Sequence, residues 1–291
     1  MIGIIGGSGI YNLSNITVLE KIEITTPFGT PSDCISKIKI QDQELLFLPR
    51  HGSNHTFAPS QVNYRANICA MKMLGATGIL SFSACGSLRE EFKPGDFVLV
   101  DQFIDFTKFR PSTFFNDSVV AHVGMGDPSC KNLRSILANE LQELDISFHN
   151  GGTYIAIEGP QFSSKKESLL FKDVFRSDII GMTNMPEAKL AREAELCYQT
   201  VAMVTDFDCW KEDEAHVTFD EIQKIFKDNL SKVENILNSI ASKLTLHSSY
   251  PCPKGCNSAL ENALVTNIKE ISQGAQKKFE PLLKNYLNNH D

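Results

Sequence analysis

The stretch Gly78-Ile-Leu-Ser-Phe82 is followed at once by five small residues, Ser83-Ala84-Cys85-Gly86-Ser87. A short apolar run flanked by glycine and polar residues is typical of a strand in a covered sheet. The small residues predict a turn at the carboxyl end of that strand, where ligands of α/β sheets commonly bind. This segment therefore predicts an α/β protein with its ligand site at one edge of the sheet.

The same alternation continues on both sides of this segment. Short apolar runs predict further strands at residues 2–5, 45–48, 97–100, 153–157 and 200–205. Helical patterns lie between them at residues 60–74, 132–144 and 186–195. Alternating strands and helices indicate an α/β fold built around one sheet.

The clearest helix is predicted from Thr218 to about residue 244. Thr218 and Glu221 have the spacing of a capping box, and apolar residues then recur at helical intervals. Residues 247–257 break this pattern with two prolines, and two more helices are predicted at 258–271 and 276–287. We predict a domain at 1–245 and a helical extension at 246–291, which packs on the same domain or on a neighbouring subunit.

Composition limits the classes of partner. The chain has 291 residues, of which 42% are hydrophobic, and a formal net charge of -7. An acidic chain is a poor candidate for binding nucleic acid or an anionic membrane, and no apolar run is long enough to span a bilayer. The N-terminal residues have no signal-like pattern, so we expect a cytoplasmic protein that binds small molecules.

The eight cysteines are expected to be reduced thiols in that compartment. Cys252 and Cys256 enclose Pro-Lys-Gly, and a local disulfide between them stays open as an alternative. No second pair with matching spacing completes a zinc site, so the sequence predicts no metal.

Two segments at strand ends could bind an anion. Gly6-Gly7-Ser8-Gly9 follows the first strand, and glycine lets backbone N–H groups approach an anion closely. Arg50 and His51 follow the strand at 45–48, with His55 four residues beyond His51. Arginine can bind phosphate through its bidentate fork. The simpler alternatives are a tight turn for the glycine-rich segment and a solvated loop for the segment with Arg50 and His51.

Other strand ends carry aromatic and acidic residues. Phe162 could stack on a planar base, and Met182-Thr183 could supply an apolar contact and a hydroxyl donor. Asp206 and Asp208 end the strand at 200–205, where one carboxylate could act as a general acid while the other positions it. Metal binding by this Asp-x-Asp pair is the main rival interpretation.

Taken together, these segments resemble the methylthioadenosine phosphorylase family, within the trimeric or hexameric branch of purine nucleoside phosphorylases. The resemblance covers residues 1 to about 244. It rests on Gly6-Gly7-Ser8-Gly9, Thr26-Pro27-Phe28-Gly29, Arg50-His51-Gly52, residues 83–90, Glu158-Gly159-Pro160, Pro186-Glu187 and residues 205–212.

The resemblance implies a phosphorylase/hydrolase-like fold, a single α/β domain with a mixed central sheet flanked by helices. It also implies roles for individual residues. The phosphate site would comprise Ser8, Arg50, His51, Ser83, the Ala84 backbone and Thr183. The substrate contacts would comprise Met182, Asp206, Asp208, Phe162, Cys85, Gly86, His55 and His122, the last near a subunit interface. Ser163 and Phe219 match positions linked to specificity for the 5' substituent.

The implied reaction is phosphorolysis of 5'-methylthioadenosine to adenine and 5-methylthioribose-1-phosphate. Asp206 and Asp208 would be the catalytic pair, with Asp206 donating a proton to N7 of the base. Phosphate is a co-substrate, and neither metal nor organic cofactor is required. We expect a homotrimer or hexamer, and we expect Arg50→Ala to raise the KM for phosphate with the fold intact.

Three alternatives stay open from the sequence. The chain could be a phosphorylase that prefers adenosine, inosine, guanosine or methylthioinosine. It could be a hydrolase that uses water, or a purine-binding protein without catalysis.

Overall fold

The structure is a computed structural model that describes residues 1–7, 9, 16–211, 219–248 and 251–287. The described ranges contain eleven strands, and each of the six predicted strands is among them. The strands are β1 (Ile2–Gly6), β2 (Ile16–Ile22), β3 (Ile35–Ile40), β4 (Gln43–Pro49), β5 (Gly78–Ser87), β6 (Phe97–Leu99), β7 (Gln102–Phe106), β8 (Phe148–His149), β9 (Thr153–Ile157), β10 (Ile179–Gly181) and β11 (Cys197–Phe207).

All eleven strands belong to one mixed sheet. Its main path runs β2-β3-β4-β1-β5-β10-β9-β7. A branch leaves this path at β5, where β11 pairs with β5 and then with β6, and β6 pairs with β8. β5 is the centre of the sheet because it pairs in parallel with β1 and β11 and antiparallel with β10. The fold is the single mixed sheet with flanking helices that the sequence predicted.

The helices cover both faces of this sheet. They are α1 (Tyr64–Met73), α2 (Lys131–Glu143), α3 (Lys165–Leu169), α4 (Glu187–Glu193), α5 (Phe219–Ser248) and α6 (Gln273–Leu287), with short 3-10 turns at Pro59–Gln61 and Cys256–Ser258. One buried apolar cluster includes side chains of α1, α4 and α6, and a second includes side chains of α2 and α5. No described helix combines the length and the apolar composition that a membrane crossing requires.

Two predictions about local structure were wrong. Residues 83–87 do not form a turn, because β5 continues through them as far as Ser87. Residues 258–271 do not form a helix. Their backbone pairs instead with a distant loop, through Val265 N–H to Val120 O at 2.9 Å and His122 N–H to Ala263 O at 2.8 Å.

The missed strands have a common cause. Most strands were predicted from continuous apolar runs, whereas the side chains of β2 are largely exposed and those of β3 alternate with lysine. A strand with one solvated face alternates between apolar and polar residues, and such a pattern is weaker over short lengths. β8 and β10 have only two and three residues.

Side chains of the predicted extension pack against earlier elements of this chain. Phe279 and Leu283 of α6 are fully buried in the cluster that also contains residues of α1. Leu260 is also buried, and its N–H donates to Glu195 Oε1 at 3.0 Å. α5 ends at Ser248, beyond the predicted boundary after residue 245.

Candidate active site

A cavity of about 320 Å³ lies beside the second half of β5, near the carboxyl ends of β4, β9, β10 and β11. This volume suits a small ligand. Thirteen of the predicted site residues line it together: Arg50, His51, His55, Ser83, Ala84, Cys85, Gly86, Phe162, Ser163, Met182, Thr183, Asp206 and Asp208. Gly7 also lines it, so the glycine-rich segment after β1 reaches the same place.

Three predicted site residues are not among the described residues that line the cavity. Ser8 lies outside the described residues, although its neighbour Gly7 lines the cavity. Phe219 begins α5, but its side chain lies outside the described part. His122 lies away from the cavity in this chain, where its N–H donates to Ala263 in the extension.

A β-bulge near the end of β11 sets which of its side chains face the cavity. Val204 pairs with Cys85 and Asp206 pairs with the next residue of β5, Gly86, so Thr205 is one extra residue in β11. Successive side chains of a strand alternate between faces, and an extra residue reverses that alternation. This explains how Met203 and Thr205 can line the same cavity as Asp206 and Asp208.

The residues after the bulge are fixed against β5. The backbone N–H of Asp208 and the indole N–H of Trp210 both donate to the carbonyl of Ser87, at 3.1 and 2.8 Å. The hydroxyl of Thr205 donates to Asp206 Oδ1 at 2.7 Å. These bonds position both carboxylates through the main chain of two strands.

The surroundings of Asp208 favour its protonated form. Its Oδ2 is buried and has no hydrogen-bond partner among the described residues. Burial, more than any nearby charge, raises the pKa of Asp208, because a desolvated carboxylate loses the stabilisation of water. A carboxyl with a raised pKa is suited to donate a proton or a hydrogen bond at neutral pH.

Gly86 allows the acidic pair to approach the strand closely. A Cβ at this position would lie 3.2 Å from Asp206 Oδ2, 3.2 Å from Ile180 Cγ2 and 3.4 Å from Asp208 Cβ. A side chain here would require Asp206 or Ile180 to shift by a few tenths of an ångström. The glycine in the small-residue segment is therefore explained by close packing inside a strand and not by a turn.

Cys85 is poorly suited to act as a nucleophile. It is buried, and its thiol donates to the carbonyl of Met203 at 3.5 Å. Burial raises its pKa well above the ordinary value, which disfavours the reactive thiolate.

Arg50 is held in a buried network. Its Nε and Nη2 donate to the two carboxylate oxygens of Glu187 at 2.7 and 3.0 Å. Nη2 also donates to Ser81 Oγ at 2.7 Å, and Nη1 donates to Phe82 O at 3.1 Å. The bidentate fork predicted for phosphate is therefore occupied by a carboxylate of the chain itself. One N–H of Nη1 has no partner among these contacts, and this N–H is what Arg50 can offer to an anion.

Glu187 keeps Arg50 charged in spite of burial. Arg50 is only 1% exposed, and burial alone would lower its pKa. The facing carboxylate reverses this effect and raises the pKa of Arg50 above its ordinary value. Tyr198 and Ser81 also donate to Glu187 Oε1, at 2.9 and 2.5 Å. The network therefore supplies a fixed positive group at the wall of the cavity.

The ring of His51 is neutral near pH 7. Its Nδ1 lies 2.8 Å from the carbonyl of Phe57, an acceptor, so Nδ1 carries the proton and Nε2 is left with a lone pair. Burial, followed by the charge of Arg50, lowers the pKa of His51 to about 4. Without a bound anion His51 is therefore an acceptor and not a cationic donor.

Two predicted hydroxyl donors differ in their surroundings. The Ser83 hydroxyl donates to Asn184 Oδ1 at 2.8 Å. The Thr183 hydroxyl is buried and has no hydrogen-bond partner in the described part of the chain. A buried unpartnered hydroxyl costs stability unless a ligand satisfies it, so Thr183 is the clearer ligand donor.

Comparison with known proteins places this geometry in a family. The model of the phosphorylase superfamily matches residues 1–242. The S-methyl-5'-thioadenosine phosphorylase of Saccharolobus solfataricus is 47% identical, over 91% of this chain and 97% of that protein. The phosphorylase of the same name from Geobacter sulfurreducens is 43% identical over 99% of both chains. The chain belongs to the methylthioadenosine phosphorylase family.

Solved structures of the methylthioadenosine phosphorylase family share this architecture. A methylthioadenosine phosphorylase from an Antarctic soil metagenomic library aligns with a TM-score of 0.90 and 44% identity, over 97% of this chain and 98% of that one. The Schistosoma mansoni methylthioadenosine phosphorylase in complex with adenine aligns with a TM-score of 0.82 and 38% identity, over 89% of this chain and 96% of that one.

Arg110 is a buried residue of this family member that no sequence motif predicts as part of the site. Its guanidinium donates to the carbonyls of Met182 and Met185 at 2.6 and 2.8 Å, and to Glu158 Oε1 at 3.0 Å. It therefore positions the loop that carries Met182 and Thr183. The only sequence signal was its partner Glu158, in the Glu-Gly-Pro segment.

The lowered pKa of His51 predicts a pH-dependent stability. The fold favours the neutral ring, so the stabilisation is fully present above pH 6.5 and is lost as the pH falls toward about 4. His51→Asn removes this titration and keeps an N–H donor for the Phe57 carbonyl. The free energy of unfolding is measured with urea in phosphate-free buffer at pH 7.5 and at pH 4.5. Its decrease between the two pH values should be larger in the wild type than in His51→Asn, by about 3 kcal/mol. Equal decreases in the two proteins would contradict it.

Proposed function

We propose that this chain uses inorganic phosphate to cleave 5'-methylthioadenosine into adenine and 5-methylthioribose-1-phosphate, in purine and methionine salvage. Its relatives carry the name of this activity at 42–47% identity over most of the chain. The observation that carries the proposal is that one cavity contains Asp206 and Asp208 together with the charged Arg50 and the unpartnered hydroxyl of Thr183. A purine needs the carboxyl groups and a phosphate needs the guanidinium and the hydroxyl, and phosphorolysis requires both sets within one site.

Phosphate would act on the sugar side of the bond. Cleavage of a glycosidic bond develops positive charge on the sugar, which a phosphate dianion beside C1' stabilises before it attacks. Thr183 donates its hydroxyl to the anion, and Arg50 offers its remaining N–H. Each such charge-assisted bond contributes about 1.5–3 kcal/mol. Neutral His51 accepts a hydrogen bond from a protonated phosphate oxygen.

The acidic pair would act on the base. Asp206 gives a proton to N7 and so prevents negative charge from accumulating on adenine, while its other oxygen accepts from the 6-amino group. Asp208, whose pKa is raised by burial, lies beside Asp206 at the same wall of the cavity. Phe162 offers a ring for stacking. The scheme uses phosphate as a co-substrate and requires neither metal nor organic cofactor in these steps.

Specificity for the 5' substituent is proposed for Ser163 and Phe219. The hydroxyl of Ser163 is buried at the cavity without a hydrogen-bond partner among the described residues, and it is therefore free for a ligand. The role of Phe219 stays a prediction.

The test of the proposal is the phosphate dependence of adenine release. We expect release from methylthioadenosine only with added phosphate, and Thr183→Val should raise the KM for phosphate roughly 10- to 150-fold. Valine keeps the shape of the threonine side chain, so the thermal stability of this variant should stay close to that of the wild type. Thr183→Ser retains the hydroxyl and serves as the control. Release without phosphate would favour a hydrolase, and no release would favour a binding protein.

We also propose a homotrimer or a multiple of it. Phe162 lines the cavity and yet is 72% exposed, so the mouth of the site is open in the single chain. A neighbouring subunit, contributing His122, would close it. Light scattering of the active preparation checks this proposal, and a mass of 32.4 kDa, that of one chain, would contradict it. The cytoplasmic location stays a prediction.

A further inference from the structure

Four cysteines from three separate segments of the chain meet at the opposite end of β11 from the acidic pair. Cys130 directly precedes α2, Cys197 is the first residue of β11, and Cys252 and Cys256 lie in the extension. All four side chains are buried, and their Sγ atoms all lie within 4.8 Å of one another. Among the described residues this is the only group of three or more His, Cys, Asp or Glu that could hold a metal ion.

The distance between two of these sulfurs fits a pair of ligands on a tetrahedral ion better than a disulfide. Zinc binds thiolate at about 2.3 Å, which places two sulfurs of a tetrahedral site about 3.8 Å apart. The Sγ atoms of Cys130 and Cys252 are 3.7 Å apart. A disulfide requires about 2.05 Å, and all four cysteines are free thiols in the structure.

The backbone around the cluster holds the ligands in place. The N–H of Gly255 donates to the carbonyl of Cys252 at 2.9 Å, and Gly255 has a left-handed φ of 69° that forms the turn between the two cysteines. Their C-x3-C spacing is within the range of zinc ligand pairs. Cys130 is fixed by its N–H, which donates to Tyr198 O at 2.7 Å, and it sits where the N-terminal amides of α2 favour a thiolate.

We propose that Cys130, Cys197, Cys252 and Cys256 bind one structural Zn²⁺. This reverses the sequence prediction of no metal, which required a second closely spaced pair. The structure provides the other two ligands from single cysteines at a helix start and a strand start. Without a cation, four buried thiols would pack closely with few hydrogen-bond partners. One zinc ion would bind all four sulfurs as ligands.

The site would be structural and not catalytic. Asp206 lies nine positions after Cys197 along β11, which is about 30 Å at roughly 3.3 Å per position. Four protein ligands also leave no open position for substrate. The ion would attach the extension to the starts of α2 and β11.

Metal analysis of the reduced, purified chain tests the proposal. We expect about one zinc per chain, and Co²⁺ titrated into the metal-stripped reduced protein should give the intense visible absorption of a tetrahedral thiolate site with the same stoichiometry. Cys256→Ser should reduce bound metal at least about tenfold. Cys69→Ser, which changes a buried thiol outside the cluster, is the matched control and should keep the full stoichiometry.

Stability and activity provide a second readout. Chelation of the wild type should lower its thermal midpoint, and the same treatment should leave the midpoint of Cys256→Ser unchanged. The kcat for phosphorolysis below that midpoint should stay within about twofold of wild type in both proteins, since the site lies far from the cavity. A reduced chain that binds no cobalt would overturn the proposal. So would metal-free protein in which these four cysteines form two disulfides.

Discussion

Arg50→Ala is expected to lower the free energy of unfolding by about 3–5 kcal/mol, because it leaves the buried carboxylate of Glu187 without a counter-ion. Glu187 would lose both bonds from the guanidinium and keep only the hydroxyls of Tyr198 and Ser81. Urea unfolding monitored by circular dichroism measures this change. The expectation from sequence was weaker phosphate binding with an intact fold, and the contacts of Glu187 add a loss of stability to that prediction.

A double replacement separates the charge from the packing. Arg50→Met combined with Glu187→Met removes both charges and fills much of the same volume, so it should be markedly more stable than Arg50→Ala. It should also lack the phosphate response, since the fixed cation is gone. An Arg50→Ala protein within about 1 kcal/mol of wild type would show that the buried pair contributes little.

Asp206→Asn is expected to reduce kcat/KM for methylthioadenosine about 10²- to 10⁴-fold, because it removes the group that protonates N7. The amide also donates where the 6-amino group of adenine needs an acceptor, whereas a 6-oxopurine offers an acceptor at that position. We therefore expect a strong wild-type preference for 6-aminopurines that the variant loses. The measurement is kcat/KM for methylthioadenosine and methylthioinosine in both proteins.

Asp208→Asn is the matched comparison for this experiment. It alters the neighbouring carboxyl, whose pKa is raised by burial, and leaves the group assigned to N7 in place. Its activity should fall less than that of Asp206→Asn, and its base preference should persist. If the Asp206 variant keeps the wild-type ratio of the two substrates, Asp206 is not the residue that reads the base.

Part of the site's location could be predicted from the sequence, because the parallel strands β4 and β11 bring the residues at their carboxyl ends, Arg50 and Asp206, to one edge. Thr183 lines the same cavity, but it follows β10, a three-residue strand antiparallel to β5 that was not predicted. The family resemblance then supplied their roles. Ser8, Phe219 and the assembly of subunits stay predictions.

The contacts that could not be predicted join side chains from segments that are distant in the sequence. Arg50 and Glu187 are separated by 137 positions, and no local pattern connects them. Their pairing explains why Arg50 has one N–H for an anion and not a fork. The cysteine cluster was missed for the same reason, since two of its members stand alone in sequence. Arg110 makes most of its bonds to carbonyl groups, which any sequence provides.

The extra residue in β11 also constrains how this lineage can change. Thr205 is the extra residue between two paired positions of β11. It determines which face of the sheet the side chains after it point to, and so brings Asp206 and Asp208 to the cavity. Deleting one residue there would turn both acids out of the cavity although no acid had been replaced. We therefore expect relatives with altered base preference to differ from this chain by substitution at 206 or 208, and their alignments to show no gap between 203 and 208.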